Sequence, residues 1–137
     1  MVMTMSKPFI VFLLDEQRFA LPCSDVKRIV RIVEITPVPD LPKGMLGVIN
    51  MQGKLIPVLD LRHRLGLKPV ESQLEDLLVI VEKQKQIMTF IVNQVNFYEF
   101  LDSSSVTGSD VIEGLECVEK IIKDKSGIIH VLNINKL

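Results

Sequence analysis

The sequence predicts an all-β fold with short helical turns, organised as two small barrels that share a core, and three observations carry that prediction. The apolar runs are short, rich in Val, Ile and Leu, and bounded by charged or glycine-containing turns, the pattern of strands rather than helices. Residues 55–61 align without gaps to residues 128–134, matching in apolar type at five of seven positions, with Asn133 in place of Asp60 at a sixth. An apolar share of 47% and a mean hydropathy of +0.32 are enough to fill the core of a 137-residue chain without disulfide or metal staples.

Taken in order, residues 9–14 break at Asp15-Glu16-Gln17 and resume at residues 18–21, a hairpin. Ser24-Asp25 resembles a helix start, and Val26, Ile29, Val30 and Val33 fall at helical spacing, yet their β-branched content leaves helix against strand open. Residues 36–42 carry three prolines and are expected to be an extended connection. Residues 45–50 and 55–61 flank Met51-Gln52-Gly53-Lys54, the clearest strand-turn-strand segment. Pro57 inside the second of these strands implies a sheet edge or a bulge, and residues 61–66 read as one helical turn closed by Gly66. The pattern then restarts. A hairpin is expected over residues 77–92, a strand over 95–101, a serine-rich loop through Ser109, and a last hairpin over 118–134.

The correspondence between residues 55–61 and 128–134 reads as an internal duplication, with the alternative that any two buried strands look alike. Each half offers about five short strands, the number a small barrel needs to protect its edges. One domain over residues 1–137, built from two barrel subdomains and preceded by a flexible stretch at residues 1–7, is the expected organisation.

Several function classes are disfavoured. The longest uncharged runs, such as residues 44–53, contain turn formers and fall short of the ~20 apolar residues of a spanning helix, and no export signal is recognisable. The expected location is cytoplasmic. Cys23 and Cys117 lie far apart without neighbouring ligand residues, so buried thiols are expected and no metal site. A net charge of −1 gives no general field for phosphate backbones, and aromatics make up only 5% of the chain. No nucleophile with its base, carboxylate pair, metal cage or phosphate cradle is visible, so catalysis and cofactors are not expected. His63 between two arginines reads as solvated, His130 as packed at a sheet edge, and Asp60 as a helix cap. Elimination leaves a protein-binding surface.

The stretch from Gly47 through Val48, Ile49, Asn50, Met51, Gln52, Gly53 and Pro57 to Asp60, Leu61 and Arg62 resembles the signature of CheW-type domains, a G-V-I-N-L-R-G-x-I-x-P-V-x-D-L-R pattern. The likeness continues upstream through residues 20–39 and downstream through 64–67, and more loosely through the second half. It implies two five-stranded SH3-like β-barrels packed together, and a non-enzymatic adaptor in bacterial chemotaxis. Such an adaptor couples the cytoplasmic tips of methyl-accepting chemoreceptors to the regulatory domain of a CheA-type histidine kinase, and is recruited to receptor arrays at the membrane.

Two departures stand out: the family's arginine in N-L-R-G is Gln52 here, and its glutamate in the upstream V-x-E segment falls on Arg28. They mark either altered partners in another chemosensory pathway or drift. The expected protein-binding face comprises Val26, Arg28, Gly47, Val48, Asn50, Met51, Gln52 and Gly53, with Gly53 and Asn50 shaping the turn and Gln52 not demanded by turn geometry. A second reading is a small-ligand groove between the barrels, walled by Met45, Val48 and Met51.

Overall fold

The apolar runs fold back on themselves as hairpins. In the computed structural model, which describes residues 6–102, 106–107, 116–124 and 126–137, Ser6–Leu14 (β1) pairs with Gln17–Pro22 (β2), and Leu77–Lys83 (β6) with Gln86–Val92 (β7). Both turns are two residues long and left-handed: φ is 51° and 67° at Asp15-Glu16, and 49° and 67° at Gln84-Lys85. That geometry matches the twist of the flanking strands, at a cost of about 1 kcal/mol for each non-glycine residue. The remaining strands are Val26–Arg31 (β3), Met45–Met51 (β4), Lys54–Leu59 (β5), Gln94–Asp102 (β8), Val106–Thr107 (β9), Val118–Asp124 (β10) and Gly127–Leu132 (β11). Leu61–Arg64 (α1) and short 3-10 turns at Cys23–Asp25 and Ile134–Lys136 supply the only helical structure among the described residues.

The segment left open between helix and strand is a strand. Its helix-like start is spent in the Cys23–Asp25 turn, after which Val26 lies opposite Val81 and Arg31 opposite Leu77. Tertiary pairing and β-branched side chains together override the helical spacing.

One sheet has the order β8-β1-β2-β11-β10-β9 and the other β3-β6-β7-β5-β4. The second sheet occupies residues 26–92 without interruption, whereas the first is assembled from both ends of the chain. The two halves of the sequence therefore do not each make their own sheet. β3 follows β2 but pairs with β6, and β8 follows β7 but pairs with β1, so the halves exchange their hairpins: β1 and β2 join β8, β10 and β11, while β6 and β7 join β3, β4 and β5.

The duplication is visible in the register. Val26 opposite Val81 has its counterpart in Val95 opposite Phe12, and the parallel pair Val58 and Thr89 has its counterpart in Val131 and Ala20. β5 and β11 share one burial pattern: two exposed residues, then buried, half-buried, buried, buried. Each is followed by a capping side chain, Asp60 accepting from His63 N–H and Asn133 from Asn135 N–H.

Each central strand is buried on both faces, which explains why its apolar residues run on rather than alternate. One face points into a shared core, where Phe12, Phe19 and Leu132 of the first sheet meet Leu59, Val79 and Phe90 of the second. The other face points into a smaller core belonging to its own sheet: Phe9, Val11, Ala20, Ile122, Ile129 and Val131 in the first, Ile49, Ile56, Val58 and Leu78 in the second. The sheets curl without closing into continuous ladders.

Two expectations about edges are corrected. Pro57 lies on β5, inside the sheet and not at its edge, although the bulge that was the other expectation does occur beside it, between Met45 and Gly47 on the facing β4. The proline is tolerated because Val48 opposite it gives its backbone groups to Thr36, and because the ladder to β7 is a single residue pair. His130 also lies on an interior strand, its Nδ1 3.1 Å from the Arg18 carbonyl oxygen and its ring stacked on Phe19 at 5.1 Å. Cys117 is buried as expected, while Cys23 is half-buried. The serine-rich loop expected through Ser109 is interrupted by β9, and its residues 103–105 and 108–109, like residues 1–5, lie outside the described residues.

Candidate protein-binding face

The site is built around the β4–β5 hairpin. Gln52 and Gly53 form its two-residue turn with φ of 53° and 84°, and Asn50 Oδ1 accepts from Gly53 N–H at 3.0 Å. At the other end of β4, Gly47 lies under the chain that follows β3. A Cβ placed there would come within 2.3 Å of the Thr36 carbonyl oxygen. The missing side chain lets Thr36 exchange two backbone hydrogen bonds with Val48, at 2.8 and 2.9 Å. β3 and β4 are the two ends of their sheet's strand order, and this bridge helps bring them together around the smaller core. As a result Arg28 Nη1 reaches 4.0 Å from Met51 Sδ, across the two edges.

The structure therefore joins residues 23 positions apart in sequence into one surface. Arg28, Asn50, Gln52 and Gly53 are exposed, Val48 and Met51 half-buried, and Gly47 buried. Val26 is half-buried against the shared core, so less of it is offered outward. Gln52 is more constrained than its residue type indicated, since its left-handed backbone is a position that favours Asn, Asp or Gly. The proposed groove wall does not form as one surface, because Met45 packs on the shared core and Met51 on the smaller one. Sequence reasoning missed Leu55, which lies opposite Asn50 and is 69% exposed. Its counterpart Ile128 is exposed too, so the duplication carried a signal that was available.

A second polar cluster, absent from the sequence reading, sits where the two sheets meet. Arg62 on α1 grips the Asp15 carboxylate with two hydrogen bonds of 2.7 Å, tying the second sheet's helical turn to the first sheet's β1–β2 turn. Asn93 accepts from Asp15 N–H at 3.0 Å and donates to buried Asp76 at 3.3 Å. Arg62, Asp76 and Asn93 edge a cleft of about 100 Å³ whose apolar wall includes Leu14, Leu59 and Ile91.

The Arg62 guanidinium holds the Asp15 carboxyl below its ordinary 3.8, chiefly by hydrogen bonding. A depressed carboxylate stabilises the fold at pH above its unfolded value, and that contribution is lost as pH falls through the folded value. Replacing Asp15 with asparagine is therefore expected to flatten the acid limb of stability below about pH 4. The effect should be about 1 kcal/mol or less, because Asp15 is solvent-exposed. An acid melt identical to that of the unaltered chain would show that the pair contributes nothing.

Comparison with known proteins places this geometry. A family model for the CheW-like domain matches residues 8–137. The chemotaxis protein CheW of Bacillus subtilis is 28% identical over 131 residues, covering 92% of this chain and 83% of that protein. The Helicobacter pylori chemotaxis protein CheW is 30% identical over 87 residues, 64% of this chain, and the match spans only 53% of that relative's length. For the probable chemotaxis protein CheW of Rhizobium etli the span is 58% of the relative's length. The crystal structure of the scaffolding protein TtCheW from Thermoanaerobacter tengcongensis superposes with a TM-score of 0.84 and 32% identity, covering 95% of this chain and 90% of that one. Among the described residues no helix is long and apolar enough to cross a membrane. The chain belongs to the CheW-like domain family.

Proposed function

We propose that the protein is a non-enzymatic adaptor of bacterial chemosensory signalling, coupling chemoreceptor cytoplasmic tips to the regulatory domain of a CheA-type histidine kinase. It works in the cytoplasm, recruited to receptor arrays. Val26, Arg28, Gly47, Val48, Asn50, Met51, Gln52 and Gly53 form or shape its protein-binding face, and residues 1–137 act as one domain with two barrel-like subdomains.

The observation that carries this reading is the hairpin surface itself, in a chain that belongs to a family with scaffolding members. A buried glycine and a side-chain hydrogen bond fix its backbone, so the hairpin has little backbone ordering entropy left to lose on binding. Arg28 and Gln52 stand where the family pattern has an acid and a base.

The purified protein is expected to co-elute with the kinase regulatory domain and with a receptor-tip fragment encoded beside it, and to raise kinase activity when all three are mixed. Failure to bind either component at low ionic strength would refute the adaptor reading.

A further inference from the structure

The strands that build this face, β3, β4 and β5, carry basic residues and no acid of their own. Residues 26–33 and 43–59 contain Lys27, Arg28, Arg31, Lys43 and Lys54 and not a single Asp or Glu, in a chain of net charge −1. Lys27 is matched by Glu82 at 3.0 Å. Arg28 has no carboxylate partner among the described residues, and its guanidinium rests against the Met51 thioether. Lys54 lies directly opposite Met51 in the hairpin register, so its side chain shares that face of the sheet. Arg28 on β3, Met51 on β4 and Lys54 on β5 thus make a cation-thioether-cation row where the two edges of the second sheet come together.

We infer that this row receives an acidic protein surface, with a partner carboxylate seated on Arg28 and a second near Lys54, around apolar contact with Met51. The inference rests on reading the hairpin as a protein-binding face and adds the chemistry of what binds there. An exposed planar guanidinium matches a carboxylate in paired hydrogen bonds, and the polarizable Met51 supplies an adaptable apolar centre. A nucleic-acid strand fits less well, because the row carries no aromatic side chain for a base to stack on. Charges placed this way act mainly on the rate of association and on the choice of partner.

Binding of the cognate kinase regulatory domain and of the receptor-tip fragment is measured by titration calorimetry at low and high ionic strength. The variants are Arg28→Glu, Lys54→Glu, Arg28→Met and, as a control on the other sheet, Lys123→Glu. At least one partner should bind Arg28→Glu tenfold or more weakly and Lys54→Glu several-fold more weakly. Arg28→Met should fall between, Lys123→Glu should match the unaltered chain, and the differences should shrink as salt rises. Changing one surface Glu or Asp of that partner to Lys should recover much of the affinity for Arg28→Glu. If the unaltered protein binds and Arg28→Glu and Lys54→Glu bind equally well or more tightly, the inference is wrong while the adaptor reading stands. If the unaltered protein binds neither partner, both fall. Arg28-dependent capture of duplex DNA or anionic vesicles, with protein binding indifferent to Arg28, would also overturn it.

Discussion

Alanine at Gly47 is expected to lower the stability of the protein by about 3 kcal/mol, from overpacking together with an unfavourable backbone. The added methyl would sit 2.3 Å from the Thr36 carbonyl oxygen and 2.9 Å from its carbon. These are backbone atoms and cannot swing aside like the end of a long side chain. Relief requires the 32–36 segment to lift from β4, breaking the Thr36–Val48 bridge and separating Arg28 from Met51. Denaturant titration should show a lower midpoint at unchanged slope, and partner affinity should drop along with it. A loss below about 0.5 kcal/mol would mean that the bridge gives way easily and is not what gathers the face.

Truncation of Phe12 to alanine should cost about 4 kcal/mol, in the range for large buried aromatics. Phe12 is fully buried on the first sheet, with its ring 6.0 Å from Phe19 of the same sheet and 5.5 Å from Phe90 of the other. The cavity would open in the shared core, so both sheets should lose stability in one transition. Two separate melting steps, with the second sheet's step unmoved, would show that the sheets fold independently and that this core is not common to them.

The hairpins were legible because their evidence is local: charged pairs such as Asp15-Glu16 interrupt apolar runs, and Gln52-Gly53 sits between two of them. The cap at Asp60 and the glycine stop at Gly66 were legible for the same reason. Partner choice was not. A strand such as β3 carries the same pattern whether it adds to its own hairpin or to that of the other half, so the exchange could not be read from periodicity. The expected edge positions of Pro57 and His130 failed on this point, since both depend on which strand lies alongside. At the site, Gly47, Asn50 and Gly53 were recognisable as residue types in a turn context, but the reason for Gly47 lies in Thr36, eleven positions upstream and on another segment. The Arg62–Asp15 grip joins residues 47 apart, and nothing in either local sequence announces it.

The continuity of the second sheet bears on how the chain is made. During synthesis, every strand of that sheet has been polymerised once Val92 is added, while β1 and β2 still lack both of their outer neighbours, β8 and β11. Leu132, the end of β11, is added about forty residues later, which at ~5–20 residues per second is a delay of several seconds. Through that interval the nascent first hairpin must keep Phe9, Val11, Phe12 and Phe19 from foreign contacts, with only the second sheet to lean on. The shared core, in which Phe90 and Val79 meet Phe12, gives the second sheet an apolar face on which the first hairpin can rest until its remaining strands are made.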